Sequence, residues 1–271
     1  MRIIAVVILS FLLVACGEME TSTEEQFLVH AFKTGKADSF LIQQNDEYVL
    51  IDTAEEDDGD DIVQYLKAQN ITSLKALIIT HFDKDHVGGA DTIVKDIAIE
   101  HIYVPNYESD SKQTKEFLQA VNEASIPLEK LTMNTPITIG SAQGTIFPPL
   151  SMNYSGDNDY SLVVSLQFGA TSFLFAGDVE ETRIADLLAD STIDLKHTFL
   201  KVPHHGRFNE QTTALFEAVQ PNYALITSSD KNPEADETVK ALKNVGATVY
   251  TTRSGDVEFI SDGSSILVNN E

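Results

Sequence analysis

Short apolar runs separated by turn residues open the regular part of this chain. The runs FLVHAFK, SFLIQQ and YVLID occupy residues 27–33, 39–44 and 48–52. Runs of this length that are bounded by turn residues predict consecutive β-strands. Residues 60–70 then carry Ile62, Tyr65 and Leu66 at helical spacing, and the apolar run LKALIIT at residues 74–80 predicts a buried strand. The pattern indicates a protein in which strands and helices alternate.

The alternation continues to the end of the chain. Further helices are predicted at residues 87–96, 111–124, 180–189, 211–219 and 232–246. Further strands are predicted at residues 101–106, 136–140, 144–149, 161–168, 171–178, 198–203, 223–229, 248–252, 256–261 and 265–269. Two halves that are each rich in strands, with helices outside them, predict an α/β (α+β) fold. We expect a four-layer αββα sandwich formed as one domain by residues 27–271.

The first residues have the pattern of a secretion signal. Arg2 is followed by an apolar run that reaches Ala15, and Cys16 is the single cysteine of the chain. The stretch Leu13–Cys16 resembles the lipobox of bacterial lipoproteins. We therefore expect residues 1–15 to be a signal peptide of the lipoprotein type, Cys16 to be lipidated and residues 16–26 to be an acidic tether. The alternative is a plain signal peptide or an uncleaved anchor with an incidental cysteine.

Lipidation at Cys16 would set the location of the protein. The lipid would anchor the chain in the membrane, at the extracytoplasmic face of the bacterial cell membrane. The chain has 18 basic and 42 acidic residues, which gives a formal net charge of -24. This charge repels polyanions unless metal ions or a local basic patch offset it, and it argues against tight nucleic-acid binding. No obligate protein partner is evident from the sequence.

Four side chains of metal-binding type lie within six residues directly after the run LKALIIT. They are His81, Asp83, Asp85 and His86, and Val87–Gly89 follows them. Sites in α/β proteins form at the carboxyl ends of strands, and divalent ions bind deprotonated carboxylate and imidazole groups. This spacing predicts a metal-binding turn. The alternative is a solvated polar turn in which Asp85 caps a helix.

Three other predicted strands also end in polar residues. Asp178 follows the run FLFAG and could bridge two metal ions, although it could instead cap a helix that begins at Glu180. Adjacent histidines point in different directions, so we expect one of His204 and His205 to bind metal. We favour His204, with His205 contacting substrate or holding the loop. Asp52 is predicted to orient a ligand loop rather than to bind an ion.

Together these motifs resemble those of metallo-β-lactamase-fold hydrolases, and more narrowly the extracytoplasmic hydrolase domain of ComEC-type competence proteins. The resemblance covers residues 27–269, and its matching pieces are Gly35–Ser39, Leu50–Thr53, His81–His86, Asn158–Val164, Phe175–Asp178, Val202–Gly206 and Ser261–Gly263. The general pattern of the fold has histidines at the position of Asp83 and near Asn158. The ComEC-type branch lacks both, as does this chain.

The resemblance implies a centre of two divalent metal ions. The first ion would be bound by His81, Asp83 and a bridging Asp178, with Asn158 or Asp159 nearby. The second ion would be bound by Asp85, His86, Asp178 and His204. A carboxylate in place of an imidazole makes the first site harder, so it should tolerate Mn²⁺ or Mg²⁺ better than a three-histidine zinc site would. Zinc and manganese both stay open as the resident metal.

The implied reaction is hydrolysis of a phosphodiester, with DNA as the presumed substrate of the related branch. A hydroxide would be the nucleophile, Asp85 would orient it, and His205 could donate to a phosphate oxygen or to the leaving group. The sequence also contains a feature that argues against DNA. Arg207 and Phe208 follow the His-His-Gly motif where relatives commonly have serine, and no basic stripe with interleaved aromatic residues is present.

Two other functions stay open at this stage. The protein could be a lipid-anchored hydrolase that acts on small phosphodiesters of the cell envelope. It could also be a non-catalytic, metal-holding envelope binding protein. Hydrolysis of β-lactams or thioesters is disfavoured, because the histidine that stands near Asn158 in the general pattern is absent.

Overall fold

The structure is a computed structural model and describes residues 25–270. The predicted signal peptide at residues 1–15, the lipidated Cys16 and most of the predicted tether lie outside the described residues. Within the described part of the chain, no helix has both the length and the apolar character needed to cross a membrane.

Strands dominate the described residues. In chain order they are β1 (Phe27–Ala31), β2 (Phe40–Gln44), β3 (Glu47–Ile51), β4 (Ser73–Leu74), β5 (Ala76–Ile78), β6 (Ala98–Ile99), β7 (Ile102–Pro105), β8 (Leu128–Leu131), β9 (Thr135–Ile139), β10 (Ala142–Phe147), β11 (Val163–Phe168), β12 (Thr171–Phe175), β13 (Phe199–Lys201), β14 (Tyr223–Ile226), β15 (Thr248–Thr251), β16 (Val257–Ser261) and β17 (Ile266–Asn270).

The strands form two large mixed sheets. Eight strands make the first sheet in the order β17-β16-β1-β2-β3-β5-β7-β8, and seven make the second in the order β15-β14-β13-β12-β11-β10-β9. The short strands β4 and β6 pair separately. Within the first sheet β3, β5, β7 and β8 run parallel, and within the second β12, β13, β14 and β15 run parallel.

Helices cover the outer faces of both sheets. The α-helices are α1 (Gly59–Ala68), α2 (Lys84–Val87), α3 (Ala90–Asp96), α4 (Lys112–Ala124), α5 (Glu181–Ala189), α6 (Thr212–Val219) and α7 (Asp236–Asn244). Short 3-10 turns span Glu56–Asp58, Asp157–Tyr160 and Pro203–Gly206.

Three apolar clusters account for the layering. Side chains such as Phe40 and Phe173 meet between the two sheets. Helices α1, α3 and α4 pack on the outer face of the first sheet, where Phe117 belongs to the same cluster as Leu77. Helices α5, α6 and α7 pack on the outer face of the second sheet, where Phe216 belongs to the same cluster as Leu200. The predicted four-layer αββα sandwich is therefore confirmed.

Two of the differences between the predicted elements and the structure have a clear physical reason. Strand β8 has the sequence Leu128-Glu129-Lys130-Leu131 and was not predicted, because an edge strand pairs on one side only and tolerates charged residues. The helix predicted at residues 232–246 begins only at Asp236. Glu234 accepts hydrogen bonds from Ser228 Oγ at 2.7 Å and from Arg253 Nη2 at 2.6 Å, which hold the preceding segment outside the helix.

One end of the sandwich collects the residues of chemical interest. Strands β3 and β5 of the first sheet and β12, β13 and β14 of the second all point their carboxyl ends toward it. The backbone N–H of Leu162 donates to the carbonyl of Thr80 at 2.8 Å and ties the two sheets together there. Loops that are distant in sequence therefore meet at this end.

Candidate metal centre

Two glycines let the ligand-bearing turn pack against the loop that follows β3. A Cβ atom on Gly88 would lie 2.5 Å from the backbone nitrogen of Glu56, and a Cβ atom on Gly89 would lie 2.6 Å from the carbonyl oxygen of Thr53. No larger side chain fits at either position. The N–H of Thr53 donates to the carbonyl of His86 at 2.8 Å, so the turn and the loop are joined directly.

This junction sets the orientation of His86. Its Nδ1 lies 2.8 Å from Oδ2 of the buried Asp52. Asp52 also accepts hydrogen bonds from the N–H and the hydroxyl of Thr80, each at 2.7 Å. Because a carboxylate only accepts, Nδ1 of His86 carries the hydrogen, and Nε2 is left facing Asp178 Oδ2 at 3.3 Å. Asp52 therefore fixes the orientation of the His86 ring.

The adjacent histidines point in different directions, as expected. The one that faces the carboxylates of Asp178 and Asp85 is His205 and not His204. His204 and His205 both have left-handed backbone angles, with φ of 48° and 53°. Nε2 of His205 lies 3.0 Å from Asp178 Oδ2 and 3.5 Å from Asp85 Oδ2. Nδ1 of His204 instead lies 2.9 Å from Oε1 of Glu180. This geometry favours His205 as the metal ligand, whereas the sequence analysis favoured His204.

We call Asp85, His86 and His205 the second-site group, and Asp178 lies beside it. Burial alone would raise the pKa of Asp178, but the positive charges of His205, His86 and Lys201 hold it well below its ordinary value. Burial would likewise raise the pKa of Asp85, which the neighbouring imidazoles of His205 and His86 bring below its usual range. Both carboxylates are therefore ionised, as metal ligands must be.

His81 and Asp83 form the first-site group, on the other side of Asp178. The ring centroids of His81 and His86 are 4.1 Å apart, and Nε2 of His81 lies 3.8 Å from Oδ2 of Asp83. The side chain of Asp83 is 43% exposed, whereas that of His81 is fully buried. Burial, together with the neighbouring His86, lowers the pKa of His81 well below its ordinary value, which keeps the ring neutral and able to bind an ion.

The two residues predicted to lie near the first ion have different surroundings. Asn158 lines the same cleft as Asp83, and its Oδ1 atom is buried without a hydrogen-bond partner. Asp159 turns away, because its Oδ1 accepts hydrogen bonds from the N–H groups of Glu180 at 2.8 Å and Arg183 at 3.3 Å. Asp159 thus provides the hydrogen-bond acceptor for backbone N–H groups at the start of α5. The alternative in which Asp178 caps that helix is not what the structure has.

Two buried charged residues of the centre were missed as site residues. Asp38, from the loop before β2, forms an ion pair with the ammonium of Lys201 at the end of β13. Both side chains are at most 1% exposed. A lysine inside the apolar run TFLKVP was a usable signal, because a buried lysine requires a partner. Asp38 lies in one of the matching pieces of sequence but carried no prediction of its own.

The donor set fits divalent metal ions. His81, His86 and Asp178 each offer an atom within 4.8 Å of the others, and so do Asp85, His86 and His205. The Nε2 atoms of all three of these histidines are buried and lack a hydrogen-bond partner. Buried imidazole nitrogens without partners are costly unless something binds them, so the centre is built for metal.

The centre opens into a cleft of about 490 Å³. Its lining includes Lys36, Phe82, Asp83, Lys84, Asp85, Ser109, Ser111, Gln113, Asp157, Asn158, Asp178, His204 and Arg207. Nζ of Lys36 lies 3.2 Å from Asp85 Oδ2, and that of Lys84 lies 3.4 Å from Glu55 Oε1. Among the described residues, Arg207 has no carboxylate partner within 4.0 Å. It is therefore the cleft cation most available to an anionic substrate.

A four-layer αββα sandwich with a histidine and aspartate centre at its strand ends defines a metal-dependent hydrolase of the metallo-β-lactamase kind. The pattern of the Metallo-beta-lactamase superfamily matches residues 33–228. The chain belongs to this superfamily, and the ligand groups lie within the matched residues. The family resemblance drawn from the motifs is confirmed.

Relatives with assigned names include two proteins that are much longer than this chain. ComE operon protein 3 of Bacillus subtilis (strain 168) is 26% identical over 171 residues, which is 63% of this chain and 22% of that protein. Recombination protein 2 of Haemophilus influenzae is 26% identical over 213 residues, 76% of this chain and 24% of that protein. The chain thus spans about a quarter of the length of these relatives or less.

The solved structures support the fold. The metallo-β-lactamase fold protein YhfI from Bacillus subtilis aligns with a TM-score of 0.58 at 13% identity, over 88% of this chain and 99% of that chain. At this level of identity the likeness concerns the architecture, and the chemistry has to be argued from the side chains of the centre.

Proposed function

We propose that this protein is a phosphodiesterase of the nuclease type that holds two divalent metal ions. The observation that carries the proposal is the position of Asp178, which offers a ligand atom within 4.8 Å of one on His81 of the first-site group and whose Oδ2 lies 3.0 Å from Nε2 of His205 of the second-site group. One carboxylate that is shared by two ligand groups suits a pair of ions. The similarity to the competence-related protein of Bacillus subtilis supports a nucleic-acid substrate.

The ligands divide between the two ions as follows. His81, Asp83 and Asp178 would hold the first ion, and Asp85, His86, His205 and Asp178 would hold the second. Manganese suits the carboxylate-rich first site, and zinc suits the two imidazoles of the second. Divalent ions in such a centre would supply Lewis acidity and lower the pKa of a bound water.

Side chains of the cleft would orient the attacking water and protonate the leaving oxygen. Asp85 Oδ2 lies between Lys36 Nζ and His205 Nε2, at 3.2 and 3.5 Å, and would accept a hydrogen bond from the attacking water. His204 lines the cleft, and its Nδ1 is held by Glu180 Oε1 at 2.9 Å. Burial lowers the pKa of His204, so it is the imidazolium form, with both nitrogens protonated, that would donate a proton to the leaving oxygen. We therefore transfer to His204 the donor role that the sequence analysis gave to His205.

A second substrate class has its own support. With a net charge of -24 and carboxylates beside the cations of the cleft, the protein lacks the electrostatic footprint of a binder of long DNA. A small phosphodiester of the cell envelope needs fewer contacts. A cleft cation such as Arg207, which has no ion-pair partner among the described residues, could bind one additional phosphate of such a substrate.

The full-length protein, purified in detergent, can be stripped of metal and reloaded with Mn²⁺ or Zn²⁺. Cleavage is then measured on single-stranded DNA and on bis-p-nitrophenyl phosphate. The Asp85→Ala variant should lose activity, while Asp96→Ala, which removes an exposed carboxylate outside the cleft, serves as the matched control. Turnover of both substrates supports a nuclease, and turnover of the small diester alone supports an envelope phosphodiesterase. If two metals bind and neither substrate is cleaved, the enzyme proposal fails and a metal-holding binding protein is favoured.

We also propose that the protein is lipidated at Cys16 and anchored at the extracytoplasmic face of the membrane. The proposal stands on the apolar run before Cys16 and the resemblance of Leu13–Cys16 to a lipobox. Labelled palmitate supplied to cells should be incorporated into the wild-type chain and not into the Cys16→Ser variant. Equal labelling of both chains, or of neither, would argue against the anchor.

A further inference from the structure

Lys201 is a fully buried ammonium in the middle of the metal centre. Its Nζ donates to the carbonyl of Gly177 at 2.9 Å and to Asp178 Oδ1 at 3.1 Å, and it forms an ion pair with Asp38 Oδ2. Its backbone lies between Phe175 of β12 and Leu225 of β14 in the parallel ladder. The side chain therefore starts from a rigid position and ends on three oxygen acceptors.

The first consequence concerns the two oxygens of Asp178. Oδ1 is engaged by Lys201, whereas Oδ2 faces Nε2 of His86 at 3.3 Å and Nε2 of His205 at 3.0 Å. The N–H of Asp178 donates to Ser161 Oγ at 3.1 Å, which fixes the backbone as well. The carboxylate cannot rotate freely, so it presents one oxygen to the ligand groups.

The second consequence concerns His205, which is linked to Lys201 through Asp38 and Thr227. Thr227 Oγ1 lies 2.6 Å from Asp38 Oδ1, and His205 Nδ1 lies 2.9 Å from Thr227 Oγ1. The Asp38 carboxylate only accepts, so the threonine hydroxyl donates to it and accepts from Nδ1–H of His205. Nε2 of His205, the atom that faces Asp178 and Asp85, is then the nitrogen left to bind an ion.

We propose that Lys201 is a positioning residue of the metal centre, which holds Asp178 directly and His205 through Asp38 and Thr227. One buried cation thereby aligns two ligands that come from different strands. The inference rests on the metal centre of the proposed function and is independent of which substrate is cleaved. Residues that orient metal ligands in this way change metal affinity by about 10- to 100-fold when they are replaced.

A simpler role for Lys201 makes the opposite prediction. An ammonium beside a ligand repels divalent ions, so if Lys201 only balanced charge, its removal would tighten metal binding. If Lys201 positions Asp178 and His205, its removal weakens metal binding. The sign of the change in affinity therefore separates the two roles.

The test is Mn²⁺ binding to the metal-stripped full-length protein and to its Lys201→Met variant, measured by equilibrium dialysis and electron paramagnetic resonance. We expect affinity to fall by about 10- to 100-fold and the spectrum of two coupled Mn²⁺ ions to disappear. Lys196→Met, which removes an exposed lysine five residues earlier, should bind as the wild type does. Unchanged or tighter binding in Lys201→Met would overturn the proposal.

A double variant distinguishes a loss of ligand positioning from a general loss of stability. Lys201→Met leaves the buried Asp38 carboxylate without its ammonium partner, whereas Lys201→Met with Asp38→Asn removes both charges and keeps an oxygen acceptor for Thr227. We expect the double variant to regain the thermal stability of the wild type without regaining its affinity for Mn²⁺. Recovery of full affinity would show that Lys201 only neutralises Asp38. Because these experiments measure Mn²⁺ binding, failure of the proposal for Lys201 can be distinguished from failure to detect substrate cleavage.

Discussion

The two ligand groups of the metal centre differ in how firmly the protein holds them. In the second-site group, Nδ1 of His86 is bonded to Asp52 at 2.8 Å and Nδ1 of His205 to Thr227 at 2.9 Å. In the first-site group, Nδ1 of His81 has only the Thr80 hydroxyl at 3.2 Å and a longer contact to a serine, and Asp83 is partly exposed. The protein therefore holds the side chains of the second-site group more firmly than those of the first-site group.

The two groups also differ in how neighbouring charges shift the pKa values of their histidines. Burial lowers the pKa of His86 and His205, but the Asp178 carboxylate and its neighbours raise both above the ordinary value of histidine. His81 has the opposite balance, because burial and the charge of His86 outweigh its carboxylates. Negative charge is thus concentrated at the second-site group. In the proposed two-ion centre this charge should make that site the tighter one once its imidazoles have lost their protons, which metal binding requires.

The largest effect that tests this comparison comes from the adjacent histidines. His205→Ala should remove the second ion and lower activity by more than about 100-fold, since a ligand matters at least as much as the residues that orient it. His204→Ala should keep both ions and reduce turnover, because it loses only the proposed proton donor. Metal analysis of the purified variants, together with their kcat values, checks both outcomes. Loss of an ion in His204→Ala but not in His205→Ala would restore the original assignment.

Asp52→Asn tests whether the second site owes its strength to the residue behind His86. The amide still accepts from Thr80 but can present its NH₂ group to His86, which disturbs the imidazole tautomer. We expect the affinity of the tighter site to fall by about 10- to 100-fold and that of the weaker site to stay the same. Titration calorimetry with Mn²⁺ resolves the two sites. Equal weakening of both would mean that the groups are not independent.

Asp83→Asn gives the complementary measurement at the first site. Because Asp83 is partly exposed and its ion-pair contact to His81 is as long as 3.8 Å, its replacement should weaken only the looser site, by about tenfold. The tighter site should then be saturated at the wild-type concentration of Mn²⁺. A drop in the affinity of the tighter site would contradict the division into two groups.

Arg207→Ala tests the cleft outside both groups. We expect KM for a substrate with an additional phosphate to rise about tenfold, which corresponds to the loss of one charge-assisted contact, while kcat and metal content stay unchanged. The matched control is Lys231→Ala, which removes a cation that does not line the cleft. An unchanged KM would remove Arg207 from substrate binding.

The smallest effect is expected at Asp159, which serves the scaffold and not the ions. Asp159→Ala removes the acceptor for the N–H groups at the start of α5 and should lower the free energy of unfolding by about 1 kcal/mol. Metal content should not change. Chemical denaturation and metal analysis of the same preparation measure both quantities, and loss of an ion in this variant would make Asp159 part of the centre.

The sequence predicted the fold well, and it grouped the residues of the candidate ligand turn, because both rest on local signals. Alternating apolar runs predicted two strand-rich halves with helices outside, and four ligand-type residues between His81 and His86 predicted the metal turn. Strand β8 escaped prediction since Glu129 and Lys130 break its apolar pattern at a sheet edge. Edge strands carry a weaker pattern because one side of their backbone is unpaired.

The sequence by itself determined which residues are chemically capable of forming the centre, and the tertiary structure alone decided how they are used. The spacing of neighbours along the chain is enough to group His81, Asp83, Asp85 and His86. Nothing in the order of residues says that Asp38 pairs with Lys201 across 163 positions, or that His205 and not His204 turns inward. Those outcomes depend on which strand ends the two sheets bring together. They also depend on the left-handed backbone angles at His204 and His205, which the tertiary packing imposes.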